Sequence, residues 1–257
     1  MFDYHMHSRV SFDGKATGLE MAMAARERGL TEICFTDHMD YTPEMDMVMD
    51  LEVYAREYDN LEVPGLKIRR GVEYGITPDN MAQMKIDLAK RKYDFVLGSV
   101  HLVDGLDVYL APYWEGKTVE EAVLRHLEET LRAVTVHTDY DVLGHLTYIA
   151  KARANPGHKL IRYDDHRELI DEIPRQLVLH DKGMEVNTSG IDRCGGPLPT
   201  MDIFRRFHEL GGRIVTIGSD AHDTDRVGQY VREMEQELKA IFGYVCTFEN
   251  RQPIFHK

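Results

Sequence analysis

Short apolar runs rich in β-branched and aromatic residues alternate along this chain with longer stretches whose apolar positions recur every three or four residues. The runs at Phe2–His5, Glu32–Thr36, Lys67–Gly75, Phe95–Ser99, Asp141–His145, Met184–Ser189 and Arg213–Ser219 read as seven strands. Between them, helical periodicity covers Gly18–Arg28, Met47–Asn60, Pro78–Lys90, Thr118–Thr138, Asp164–Lys182, Thr200–Glu209 and Arg226–Ile241. Gly29, Gly183 and Gly211 follow such segments and are expected as helix stops. Strands that alternate with helices in this way predict an α/β fold built on a mainly parallel sheet. After the last helix, Tyr244–Phe255 is expected to be extended, and Pro253 confines it to an edge position.

No linker or shift of composition divides the chain, and 257 residues suit a single barrel-sized domain, 1–257. No apolar run approaches the ~20 residues of a membrane span. The first residues lack the basic and apolar regions of a signal peptide, so a cytoplasmic protein without a membrane partner is expected. Cys34, Cys194 and Cys246 are odd in number and far apart, which suggests neither a disulfide framework nor a metal knuckle, and Cys34 reads as a buried apolar residue. A net charge of -13 argues against a nucleic-acid partner and leaves carboxylates for bound cations to neutralise.

The expected strand ends carry the chemistry. His5 and His7 share one face of the first strand, because side chains alternate with a period of two. Asp37 and His38, Glu73, His101, His145, and Asp220 with His222 fall at the C-terminal ends of later strands. In a parallel barrel or sheet those ends converge on one face, where active sites are built. A single strand-end histidine is usually structural; the recurrence of the pattern reverses that reading. His126, His158, His166, His180, His208 and His256 show no such register and read as structural, as does His137 at a helix end. Asp37 reads as a cap or as a carboxylate that orients His38. Asp40, Glu44 and Asp46 read as solvated loop charges, and the methionines around them as core filler. Imidazoles and carboxylates without thiolates suit zinc, iron or manganese. A carboxylate among imidazoles can bridge two ions, an arrangement suited to displacement at phosphorus.

The motifs HxH, TDH, GVE, GSVH, GH and SDAH, in this order, resemble those of the polymerase and histidinol phosphatase (PHP) superfamily over essentially the whole chain. Within it, the length, the NTSG stretch at 187–190 and the FENRQPI tail at 248–254 are similar to histidinol-phosphate phosphatases. The resemblance implies a single-domain α/β fold, a distorted (β/α)7 TIM-like barrel, with three divalent metal ions. Carried over by position, His5, His7, Glu73 and Asp220 would hold one metal, with Glu73 bridging to a second held by His101 and His145. Asp13, His38 and His222 would hold the third. Glu73, Asp220 and His222 are accordingly the expected catalytic residues.

The implied reaction is metal-dependent hydrolysis of L-histidinol phosphate, a small-molecule phosphate monoester, in histidine biosynthesis. Lys151, Arg153 and Arg193 are the candidate phosphate clamps, with Asn187 and Ser189 as further substrate contacts. Family phosphatases place a basic pair shortly after the GH motif, and here Ala150 takes part of that window. The alternatives keep the metals and change the substrate to a sugar phosphate, phosphotyrosine or a phosphodiester, or leave a metal-stabilised, non-enzymatic module of a larger complex.

Overall fold

The computed structural model describes residues 1–42 and 46–257. Seven parallel strands run β1 (Phe2–Met6), β2 (Glu32–Phe35), β3 (Lys67–Gly75), β4 (Phe95–Ser99), β5 (Val142–Leu143), β6 (Gly183–Asn187) and β7 (Val215–Gly218), each paired with the next in sequence order. The ring closes where Met6 bridges Ala221 and the Asp220 N–H donates to His5 O at 2.8 Å. The expected α/β barrel is therefore the fold found, with a single domain and a nearly closed wall. Helices α1 (Gly18–Glu27), α2 (Leu51–Tyr58), α3 (Met81–Ala89), α4 (Val119–Val136), α5 (Arg167–Leu179), α6 (Met201–Glu209) and α7 (Val231–Phe242) alternate with the strands. Among the described residues, no helix is long and apolar enough to cross a membrane.

Helix starts follow local chemistry. Thr17 with Glu20 and Thr118 with Glu121 form reciprocal capping boxes at α1 and α4, each satisfying two end N–H groups. The helix expected from Met47 begins instead at Leu51, because the Asp50 carboxylate caps the Glu52 and Val53 N–H groups. Before it, Asp46–Val48 pairs antiparallel with a short strand at His38–Tyr41. Gly29 and Gly211 take the left-handed backbone expected of stops, at φ 78° and 100°. Gly183 does not: it opens β6, and Asp181 at φ 54° makes the turn. A Cβ on Gly183 would lie 2.8 Å from the Ile214 carbonyl oxygen, so close strand packing explains this glycine.

The C-terminal segment also differs from the expected edge strand. Val245–Glu249 and Gln252–His256 form an antiparallel hairpin of their own. It plugs the N-terminal end of the barrel, where Phe248 packs on Phe95 at 4.9 Å between ring centroids and its carbonyl accepts the Tyr4 hydroxyl. With that end filled by Tyr4, Cys34, Phe95, Leu97, Val142 and Phe248, the open end of the barrel is the one carrying the strand C-termini.

Candidate metal centre

Every strand delivers a polar side chain to that end. β1 brings His5 to it, and His7 follows directly after the strand ends at Met6; both are buried. β2 breaks after Phe35, and the chain rejoins β3 at His38–Tyr41 in a register that sets His38 beside Glu73. His101, His145, Asp220 and His222 follow β4, β5 and β7. Asp220 holds φ 56°, a left-handed conformation that Asp tolerates better than most residues and that occurs here at the functional face. His38, Glu73, His101, His145, Asp220 and His222 line one cavity of about 760 Å³ together with Phe12, Asp107, Tyr109 and Tyr148, and His5 and His7 lie buried beneath it.

Glu73 sits at the middle, and its two oxygens face different imidazoles. Oε1 lies 2.9 Å from His145 Nε2 and 3.4 Å from His101 Nε2, and it accepts the Ser99 hydroxyl at 2.6 Å. Oε2 lies 3.4 Å from His5 Nε2 and 3.5 Å from His7 Nε2. Asp220 Oδ1 is 3.6 Å and 3.5 Å from the same two nitrogens. On the outer side, Asp13 Oδ2 lies 3.0 Å from His222 Nε2 and 3.7 Å from His38 Nε2.

The other ring nitrogens are tied outward. His5 Nδ1 donates to Glu185 Oε1 at 2.7 Å, His101 Nδ1 to Asp40 Oδ1 at 2.8 Å, and His222 Nδ1 to the Asp220 carbonyl at 2.9 Å. His7 Nδ1 lies 3.2 Å from Ser11 Oγ, whose own hydroxyl donates to Asp37 at 2.9 Å. Such bonds fix the tautomer and leave the Nε2 lone pairs directed at the centre, as metal ligation requires. Two of these anchors correct the sequence reading. Asp40 is a buried partner of His101 and not a solvated charge, because the short strand at His38–Tyr41 carries it inward beside Gly75, where any Cβ would strike its carboxylate. Asp37 acts on His7 through Ser11 and does not bind His38 directly. Glu185 was not singled out in the sequence at all; its alternation with Asn187 on β6 was the available signal. Glu44 lies outside the described residues.

The donor set fits divalent metal ions. His7, His38 and His222 each offer a ligand atom within 4.8 Å of the others; so do His5, His7 and Glu73, and so do Glu73, His101 and His145. Buried Glu73 Oε2, His38 Nδ1, Asp13 Oδ1 and Asp40 Oδ2 have no hydrogen-bond partner among the described residues, although His38 Nδ1 is 3.0 Å from Glu73 Oε2. Unpaired buried polar atoms are costly, and a shared cation would satisfy them. The electrostatics agree. Burial alone would raise the Glu73 carboxyl, yet the imidazoles of His5, His101 and His38 hold it well below the usual range. Burial likewise opposes ionisation of Asp220, and Lys151 and His5 reverse it. Despite burial, Glu185, Glu73 and Asp220 hold the His5 pKa well above its ordinary value, and a field that favours a proton there favours a metal cation as well. His7 is driven the other way by burial and by His222 and His38, so it presents a neutral, ligating ring.

Of the expected phosphate-binding residues, Lys151, Ser189 and Arg193 line the cavity. Lys151 Nζ pairs with Asp220 and donates to Ser189 Oγ at 2.7 Å, while Arg193 donates to the Tyr109 hydroxyl and the Lys151 carbonyl. Arg153 is exposed and outside the lining, because the 3-10 turn at Tyr148–Lys151 points Lys151 inward and ends at buried Ala152. Asn187 is also outside it; its amide is engaged by Ser189, Glu185 and Asp220. Among the described residues, His126, His137, His158, His166, His180, His208 and His256 stay away from the cavity, as expected.

Fold and site together define a barrel whose open end gathers histidines and carboxylates in groups able to hold metal ions. The chain belongs to the PHP domain family, whose model matches residues 3–189. It is 34% identical to the histidinol-phosphatase of Lactococcus lactis over 96% of this chain and 93% of that one, and 33% identical to a probable histidinol-phosphatase of Clostridium acetobutylicum over 89% of each. A crystal structure of the histidinol phosphate phosphatase from Lactococcus lactis, complexed with zinc, L-histidinol and phosphate, superimposes with a TM-score of 0.89 over 98% of both chains at 29% identity.

Proposed function

We propose that this chain is a metal-dependent phosphomonoesterase that hydrolyses L-histidinol phosphate to L-histidinol and phosphate, a step of histidine biosynthesis in the cytoplasm, and that residues 1–257 act as one catalytic unit. The observation that carries the reading is the division of Glu73, one oxygen facing His101 and His145 and the other His5 and His7. That arrangement stands in a barrel that matches, over nearly its full length, a phosphatase crystallised with zinc, histidinol and phosphate.

On this reading His5, His7, Glu73 and Asp220 hold one ion, Glu73, His101 and His145 a second, and Asp13, His38 and His222 a third. Nitrogen and oxygen donors without thiolate fit zinc, iron or manganese. Bound divalent ions supply Lewis-acid chemistry, polarising phosphoryl oxygens, lowering the pKa of water and offsetting charge in an in-line displacement. The chain's own residues do the rest. Glu73, Asp220 and His222 fix the spacing of the ligand sets. Lys151, already held by Asp220 and Ser189, presents a cation to phosphate oxygens at the cavity wall, and Arg193 adds a second at the mouth. Glu185 and Asp40 hold the His5 and His101 rings against rotation.

The test is phosphate release from L-histidinol phosphate beside a sugar phosphate, phosphotyrosine and a phosphodiester, with metal content determined on the same sample. Strong preference for histidinol phosphate is the expected result. Metal-loaded enzyme that prefers another of these esters would overturn the substrate.

A further inference from the structure

The loop that follows β1 is built around one buried carboxylate outside the cavity. Asp37 Oδ1 accepts the Ser8 N–H at 2.9 Å, the Ser11 N–H at 3.2 Å and the Ser11 hydroxyl at 2.9 Å. Its Oδ2 accepts the Tyr58 hydroxyl at 2.5 Å, which reaches in from α2, and the Ser8 hydroxyl lies 2.5 Å from that of Tyr58. Asp37, Ser8, Ser11 and Tyr58 are all buried, and none of them lines the cavity. The group backs the side of the histidine cluster where the rings of His7 and His38 stack, with centroids 4.3 Å apart.

The protons of this group can be counted. A serine hydroxyl has one proton and two lone pairs, and that of Ser11 spends its proton on Asp37. Towards His7 Nδ1 at 3.2 Å and the His38 N–H at 3.0 Å the same oxygen can only accept. The proton of a neutral His7 ring therefore sits on Nδ1, and its Nε2 lone pair is left for the centre. One hydroxyl thus has every bonding position filled, and two of the three partners belong to metal-facing histidines. The chain then turns back at once: the Gly14 N–H donates to the Ser11 carbonyl at 3.3 Å, where a Cβ on Gly14 would stand 1.8 Å from the Ser8 carbonyl oxygen. That turn presents Asp13 to His222. Ser11 is bonded, by its hydroxyl or its carbonyl, to each of the three segments that carry His7, His38 and Asp13.

We propose that Ser11 is a positioning residue that joins two of the metal sets: its hydroxyl fixes the ring of His7, from the set at the base of the cavity, and the backbone of His38, from the outer set that includes Asp13. This rests on the metal-dependent reading above and deepens it. The direction of the hydroxyl is itself held, because Asp37 is clamped by the Tyr58 hydroxyl and by two backbone N–H groups. Without that oxygen the His7 ring is free to exchange tautomers and the buried His38 N–H has lost its acceptor, so both sets loosen together.

The experiment measures zinc binding to the full chain by chelator competition, with zinc per chain determined by elemental analysis, in the wild type, Ser11→Ala and Ser11→Thr. The alanine variant removes one oxygen, and the Tm of the metal-free chains reports that each variant is folded. Zinc binding is expected to weaken about 10- to 100-fold in Ser11→Ala, with more than one ion per chain affected, and turnover should recover at high zinc. Ser11→Thr, which keeps the hydroxyl, should bind zinc within about threefold of the wild type, well inside the loss assigned to the missing oxygen. Wild-type binding in Ser11→Ala, a loss confined to a single ion, or a threonine variant as impaired as the alanine one each overturns the assignment while leaving the phosphatase reading intact. A wild type that takes up no zinc, iron or manganese overturns the metal-dependent reading and this one with it.

Discussion

Glu185 Oε1 lies 2.7 Å from His5 Nδ1, joining β6 to β1 across the closing side of the barrel. The other oxygen of Glu185 accepts the His145 N–H at 2.8 Å, so a single carboxylate steadies a residue from each of two proposed metal sets. Room for it comes from Gly218, where a Cβ would stand 2.1 Å from Glu185 Oε1 and 2.3 Å from His5 Cβ.

Glu185→Ala should therefore act as a loss of metal affinity and not of substrate contact. Partners of ligating histidines contribute roughly 10- to 100-fold to affinity or activity. A metal titration should show weaker binding of that order, with turnover recovering at high metal concentration. Gly218→Ala, which pushes the same pair apart, should show the same defect together with a lower Tm. Metal binding at wild-type strength in Glu185→Ala would contradict the positioning role.

Glu73→Gln keeps the shape of the central residue and removes the charge that faces both imidazole sets. Bound metal per chain should fall and turnover should drop by at least ~10³-fold, since a charge preorganised at the reacting centre is removed. Turnover within tenfold of wild type would show that Glu73 is not the bridge.

A pH dependence follows from His126, which is buried on α4 with Nε2 3.4 Å from the Leu146 carbonyl. Burial drives its pKa down from 6.5 to about 3. Above pH 6.5 the ring is neutral in both folded and unfolded chains and contributes no slope. Below that value the unfolded chain binds a proton that the folded chain excludes. Stability should then fall by up to about 1.4 kcal/mol per pH unit as pH drops from 6.5 towards 3. In urea melts between pH 7 and 5, His126→Gln should lose less stability than the wild type. Parallel curves would show that His126 is not the buried neutral group described here.

The barrel was legible because its strand ends repeat one device, apolar run then histidine or acid, and because parallel topology gathers such ends on one face. His5, His7, His38, Glu73, His101, His145, Asp220 and His222 all read out in that register. What could not be read was the supporting layer. Asp40 looked like loop charge because its burial depends on the short strand at His38–Tyr41 aligning with β3, a pairing between distant segments. Glu185 is one acid within a strand, and only the approach of β1 gives it a partner. The direction of Lys151 inward and Arg153 outward is set by a single 3-10 turn, which helical or strand periodicity does not mark. The C-terminal hairpin was read as an edge because local sequence specifies extended backbone without specifying what it pairs with.

Hydrolysis of phosphate esters through bound metal is the property on which the proposed function stands. It is tested most directly by measuring phosphate release from L-histidinol phosphate by one preparation as isolated, after chelation with the metal content verified, and after restoring zinc, iron or manganese singly. Loss of turnover on chelation and its recovery with at least one of these ions is the result expected. Full turnover in a sample shown to be free of metal would contradict the account.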